Sequence, residues 1–317
     1  MTGKSAHCKL IKHMINTSKR VQDAIHDKRP VVALESTIIS HGLPYPQNIE
    51  IALEIEKAVE HHGATPATIA ILDGEVKVGL SHQEIEKLAS PTSRIQKASM
   101  IDIAPVVSAK KNAATTVSAT STIAHRAGLS LFATGGIGGV HRGDSLDVSS
   151  DLQALETIPI AVVSAGPKSI LDIPKTLERL ETLGVLVLGY QSSECPGFYT
   201  PTSGLKLDHV ADTPVEVAQI LLERWKWGQK GVLVANPPLL DQSMDLDVVN
   251  TLIEEAIHVA DKQGIGGKKL TPFLLNHLNS KSGGKTVAAN KALVLNNAKV
   301  AAEIASAMAK LKVSEHD

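Results

Sequence analysis

The chain has 317 residues, a net charge of −1 at pH 7, 43% hydrophobic side chains and only 3% aromatic ones. That balance leaves no electrostatic footprint for nucleic acid or an anionic membrane, and so few aromatics argue against base-stacking platforms. The core must be built from Val, Ile, Leu and Ala, which suits a layered α/β enzyme better than a β-sandwich. Two cysteines, Cys8 and Cys195, are too few for a disulfide framework and point to a reducing compartment. No stretch is long and apolar enough to span a bilayer.

The basic segment Lys4–Arg20 has no acidic residue. Residues 1–20 read as an N-terminal extension before a single catalytic unit over residues 21–317. A cytoplasmic chain is expected, with a mitochondrial presequence as the alternative. Val21–His26 reads as the end of a short helix. Pro30 introduces the apolar strand Val31-Val32-Ala33-Leu34, which ends in Glu35-Ser36-Thr37. A carboxylate and two hydroxyls where a buried strand emerges are what α/β sheets build sites from. A surface carboxylate is the plainer reading of Glu35. Asn48 is expected to cap the helix Ile49–His61. Two β-like runs, Ala67–Leu72 and Glu75–Leu80, flank Asp73-Gly74, a hairpin signal. Ser81 opens a helix to Ala89, with Glu84 at capping-box spacing. The strand-like segment Ile95–Ser99 carries Lys97, isolated among uncharged residues. The small, hydroxyl-rich run Ala113–Thr120 precedes or starts a helix through Ala127.

The strand Leu129–Ala133 leads into Thr134-Gly135-Gly136-Ile137-Gly138-Gly139-Val140-His141-Arg142-Gly143, with five glycines among nine residues. Glycines at a strand end let backbone N–H groups approach an anionic ligand, and His141 and Arg142 add polar and cationic side chains there. An irregular turn with surface charges is the competing reading. The run is no dinucleotide fingerprint, because His141 stands where the third glycine belongs. Gly284-Lys285-Thr286 is no P-loop, because Asn279 stands at its first glycine position. Beyond the glycines, Asp147 and Asp151 share a face if their segment is helical, and Ser150 with Gln153 has capping-box spacing. A helix start there offers an anion pocket with Asp147 at its mouth, suited to a mostly hydrated Mg²⁺ or Mn²⁺.

The strand Pro159–Ser164 runs through Ala165-Gly166-Pro167 to Lys168, expected at the head of the helix Ile170–Leu183. A lysine there opposes the helix dipole, which would favour the neutral amine of a nucleophile. A phosphate contact and a solvated lysine are the alternatives. Gly184–Gly189 is a further strand. Tyr190–Asp208 reads as a lid or substrate loop, in which Cys195 could react. Helices Val215–Trp227, Leu246–Gln263, one from Thr271 through Leu278, and a final one from Val287 to about Lys310 complete the chain. The strand Gly231–Ala235 ends in Asn236-Pro237-Pro238. Asn290, Asn296 and Asn297 are unusually polar for their Ala/Val/Ile-rich helix, and buried amides need partners.

Together these strings resemble the pseudouridine-5′-phosphate glycosidase (indigoidine synthase A-like) family over about Arg29 to Ala309. The resemblance rests on Val32–Gly42, Ala133–Gly143, Ser164–Asp172, Asn236-Pro237-Pro238 and Asn296-Asn297-Ala298. It implies a single three-layer α/β/α domain with a central, mostly parallel or mixed sheet, assembled as a homotrimer. The implied reaction is reversible cleavage of pseudouridine 5′-phosphate to uracil and ribose 5-phosphate, with one Mn²⁺ per subunit. It implies Lys168 as imine-forming nucleophile, Glu35 as general acid and Asp147 as metal ligand. Lys97, Val117, His141, Ser149, Ser150 and Asp151 would line the substrate site, with Asn290 at the base or the metal-bound water. A separate kinase would supply the substrate. Met100-Ile101 and Pro201 stand where the family carries basic residues, which motivates a second reading, a binding or regulatory homologue that has lost turnover.

Overall fold

The computed structural model describes residues 14–143, 146–265 and 270–314. The first half contains β1 (Ile15–Thr17), α1 (Lys19–His26), β2 (Val31–Leu34), a π-helical turn (Ile38–Gly42), α2 (Gln47–His61), β3 (Thr65–Leu72), β4 (Glu75–Val78), α3 (His82–Ala89), β5 (Ile95–Ala98), α4 (Ile103–Ser108), β6 (Asn112–Thr115), α5 (Val117–Arg126) and β7 (Leu131–Ala133). The second half adds α6 (Ser150–Thr157), β8 (Ala161–Ser164), α7 (Ile173–Thr182), β9 (Leu186–Tyr190), β10 (His209–Ala211), α8 (Pro214–Lys226), β11 (Val232–Ala235), α9 (Leu246–Lys262), α10 (Leu270–Lys281) and α11 (Lys285–Ser314).

The strands form one sheet in the order β1-β4-β3-β2-β7-β8-β11-β9-β10, with β6 beside β3 and β5 beside β6. From β3 to β10 along this path every pair is parallel. β4 and β6 run antiparallel to β3. The β3–β4 turn has positive φ at Asp73 and Gly74, which hairpin turns of the primed type require. Alternate strand residues feed two different cores. Val32, Leu34, Val163 and Val234 pack with α2, α8, α9 and α11, whereas Ala33, Phe132, Val162 and Leu233 pack with α1, α5 and α6. That alternation sets a mixed sheet between two helical layers, as expected.

Several local expectations change. The sheet already begins at Ile15, inside the stretch read as an extension, because Ile15–Thr17 pairs with Val76–Val78 at the edge. Cys8 lies outside the described residues. Asn48 does not cap α2: it is buried inside the first turn and donates to the carbonyls of Ile39 (2.8 Å) and Ala89 (3.0 Å). The cap of α6 is Ser149, whose hydroxyl accepts from the Asp151 N–H, not Ser150. Asp147 therefore lies outside that helix and shares no helical face with Asp151. Lys168 is not at a helix head either. Asp172 accepts from the Lys175 N–H and Pro174 sits in the first turn, so α7 starts at Ile173. The dipole argument for Lys168 falls with that boundary.

Candidate active site

Parallel strands bring their C-terminal ends to one edge of the sheet. Here β2 is followed by β3 on one side, and its other neighbour, β7, is followed by β8 on the opposite side. Such a reversal leaves a crevice at the strand ends, the usual place for a ligand in an open α/β sheet. Pairing of Leu34 with Ala133, and of Ala133 with Val163, sets the residues that follow side by side. Glu35, Thr134 and the segment from Ser164 to Lys168 thus meet at one place.

The Thr134 hydroxyl donates to Glu35 Oε1. Burial pushes the Glu35 carboxyl above the usual carboxylate range; the Lys168 charge is the strongest influence opposing it, followed by the Thr134 hydroxyl. Asp151 and Lys97 act on the same carboxyl with smaller, opposite effects. Glu35, Lys168, Lys97 and Asp151 therefore belong to one electrostatic neighbourhood. Lys168 Nζ donates to the Gly136 carbonyl at 2.8 Å, which draws the amine over the glycine run. The backbone around it is pinned as well: Lys168 N–H donates to Ile137 O at 3.0 Å. Arg142 braces the same loop, with Nε 3.1 Å from Leu171 O and Nη2 3.1 Å from Ser169 O.

Two N–H donors of the glycine run are taken within the protein. Gly138 N–H donates to Asp151 Oδ2 at 2.8 Å, and Ile137 N–H donates to Gly166 O at 3.1 Å. The other Asp151 oxygen accepts from Ser118 N–H at 2.9 Å, so this buried carboxylate ties the glycine run to the start of α5. Ser118 also holds Ser150, hydroxyl to hydroxyl at 3.0 Å. Val117, the first residue of α5, is buried beside them. The glycines are there for close approach. A Cβ on Gly136 would sit 2.6 Å from the Phe198 ring, and one on Gly138 would sit 2.3 Å from Ser149 Oγ.

Phe198 comes from the connection read as a lid or substrate loop. Residues 195–200 of that connection are buried, so this part packs as a wedge against the glycine run. Burial pushes the Cys195 thiol up to about 12, which makes it inert. Over the glycine run, the buried Oδ1 of Asn290 has no hydrogen-bond partner and would lie 3.2 Å from a Cβ on Gly135. A buried acceptor left unpaired is costly unless a ligand supplies the donor. Asn297, expected with Asn290 and Asn296 in a ligand or helix-capping role, instead bonds to the backbone and to Asn236, a residue expected only in a strand-end turn. Asn297 Nδ2 donates to Thr134 O and its Oδ1 accepts from Asn236 Nδ2, each at 2.8 Å.

The rim holds the remaining expected residues. Lys97 lies on β5, exposed, and its charge reaches Glu35 and His41. His141 N–H donates to Asp147 O at 2.9 Å. Asp147 itself is exposed, and among the described residues no three His, Cys, Asp or Glu side chains gather where they could hold a metal. A lone carboxylate fits a largely hydrated Mg²⁺ or Mn²⁺ and does not fit an all-protein cage. A separate cleft of about 550 Å³ lies at the β10 edge against Val210, Arg224 and Trp227, and none of the expected site residues lines it. No helix among the described residues is long and apolar enough to cross a membrane.

A family model described as indigoidine synthase A like protein matches residues 20–307. Pseudouridine-5′-phosphate glycosidase of Caldanaerobacter subterraneus subsp. tengcongensis is 50% identical over 300 residues, 94% of this chain and 97% of that protein. The protein of the same name from Staphylococcus aureus is 47% identical, with 94% and 97% covered. Among solved structures, the prealnumycin C-glycosynthase AlnA in complex with ribulose 5-phosphate superposes with a TM-score of 0.88 at 38% identity, covering 95% of this chain and 99% of that one. An indigoidine synthase A-like protein of Thermotoga maritima gives 0.85 at 35% identity, covering 94% and 97%. With matches of this extent, the chain belongs to the indigoidine synthase A-like family.

Proposed function

We propose that this chain is a pseudouridine-5′-phosphate glycosidase, cleaving its substrate reversibly to uracil and ribose 5-phosphate. The observation that carries the reading is the convergence of Glu35 and Lys168 in the crevice between β2 and β7. A C–C glycosidic bond has no heteroatom leaving group to protonate, so the two-carboxylate route of ordinary glycosidases does not serve. Lys168 Nζ instead attacks C1′ and the bond from C1′ to the ring oxygen breaks. Glu35, whose carboxyl burial pushes toward the protonated form, gives its proton to that oxygen. The new C–N nitrogen gives a proton to the Glu35 carboxylate, its lone pair then pushes out C5 of uracil, which takes that proton up, and an iminium is left at C1′. Water hydrolyses the iminium, releasing ribose 5-phosphate and the free amine.

Asn290 Oδ1 supplies an acceptor for an N–H of the base. Lys97 and His141 line the rim with Ser149 and Ser150. Asp151 would contact the substrate with the lone pairs that its two backbone donors leave, and it holds the crevice walls together through those donors. Asp147 would hold a divalent Mn²⁺, which supplies positive charge and a polarised water when bound. A homotrimeric assembly, a cytoplasmic location and a separate kinase that supplies the 5′-phosphate belong to the same proposal. Uracil release from pseudouridine 5′-phosphate with Mn²⁺ tests it. Wild type is expected to turn over, and Lys168→Ala to lose at least about a thousandfold in kcat, the scale seen when a covalent nucleophile is removed. A Lys168→Ala variant that keeps wild-type turnover would overturn the reading.

A further inference from the structure

We propose that Thr134 is a positioning residue for this reaction, holding Glu35 through Oε1 so that the transferable proton sits on Oε2. The inference rests on the glycosidase reading and adds a residue to it. Thr134 is 2% exposed and directly follows the buried apolar strand β7. A valine would fill the same space there without burying a hydroxyl. The hydroxyl is instead aimed at Glu35 Oε1. When Glu35 is protonated, its carbonyl oxygen accepts from Thr134 and the proton is left on the other oxygen. When Glu35 has given the proton up, the same hydroxyl stabilises the carboxylate.

The Thr134 backbone is fixed from both sides. Its N–H donates to Val163 O at 3.1 Å. Its carbonyl accepts from Asn297 Nδ2 at 2.8 Å, and Asn297 Oδ1 accepts from Asn236 Nδ2 at 2.8 Å. Asn236 is anchored in turn, its N–H donating to Ser164 O at 2.8 Å. Asn236 and Asn297 are 3% and 1% exposed, so water does not compete for these bonds. The relay therefore joins the end of β11, helix α11 and the end of β7 behind the general acid. The Thr134 hydroxyl also holds the Glu35 carboxyl lower than burial alone would.

The test measures kcat and KM for uracil release across pH in Thr134→Val and Thr134→Ser, with borohydride trapping of ribose 5-phosphate beside it. In Thr134→Val, kcat should fall about tenfold, less than the roughly 10²–10⁴-fold an acid contributes because Glu35 itself is kept, and KM should change little. Its basic limb should move to higher pH, because Glu35 loses the donor that favours its carboxylate. Thr134→Ser should restore both, and trapping at Lys168 should persist in all three proteins. If Thr134→Val does not fold, Thr134→Ala carries the same expectation without added bulk. A wild-type pH profile in the hydroxyl-free variant, or equal losses in the serine and valine variants, would overturn the assignment while wild-type trapping upheld the glycosidase reading. A wild type that neither traps nor releases uracil would overturn that reading, and the assignment with it.

Discussion

Two glycine-rich stretches look alike in the sequence and differ in the fold. Gly135–Gly139 lines the crevice between β2 and β7, and Gly283-Gly284 joins α10 to α11. In the first, a side chain at Gly136, Gly138 or Gly139 would run into Phe198, Ser149 or Thr176 within 2.6 Å. None of these glycines has positive φ. In the second, a side chain would meet nothing within 4 Å, and the requirement is φ of +62° and +85°. The first stretch is glycine because other groups press on it, the second because the chain turns back. The first kind of demand packs the run against Phe198, Ser149 and Asp151, beside the carbonyl that accepts from Lys168.

Substitutions can break this contrast, and the largest effect is expected at the group that clamps the crevice. Asp151→Ala orphans two buried backbone donors, Gly138 N–H and Ser118 N–H, and should cost about 2–5 kcal/mol in urea unfolding. Retention of wild-type stability would show that the clamp is dispensable. Gly136→Ala forces a methyl against the buried Phe198 ring and should cost about 1–3 kcal/mol. Because that shift also moves the carbonyl that holds Lys168, turnover should fall about a hundredfold. Gly284→Ala strains one backbone torsion and should cost about 1 kcal/mol, with kcat unchanged. Equal losses of activity at Gly136 and Gly284 would erase the distinction.

A smaller effect sharpens the electrostatic side. The Glu35 carboxyl titrates above its unfolded value, with burial the largest cause. As pH rises from about 4.3 toward the folded value, the unfolded chain releases this proton first, so native stability falls through that window. Glu35→Gln removes the ionisation. Its melting temperature should therefore gain on wild type as pH rises, even though activity is lost. A difference between the two proteins that stays flat with pH would contradict a desolvated acid.

Much of the fold was legible because its signals are local. Asp73-Gly74 gave the hairpin, Ser81 with Glu84 gave the start of α3, and the apolar runs after Pro30 and before Thr134 gave β2 and β7. Boundaries failed where two local signals competed. Asp172 with Pro174 outweighed the apolar periodicity from Ile170, and Ser149 took the cap that Ser150 was given. Glu35 and Lys168 stood out because they end strands in recognisable strings. The relay through Asn297 to Thr134 did not, because these residues lie 163 positions apart and leave no pattern that periodicity can register. The same holds for Phe198, whose burial against Gly136 seats part of the long connection beside the glycine run.

The proposed mechanism requires one amine, Lys168 Nζ, to form the bond to the sugar within the crevice that Glu35 shares. Borohydride reduction of the protein with ribose 5-phosphate, followed by peptide mass mapping, tests it most directly. A single adduct on Lys168, absent from Lys168→Ala, is the predicted result. An adduct on Lys97 or another lysine with Lys168 unmodified, while uracil is still released, would contradict it.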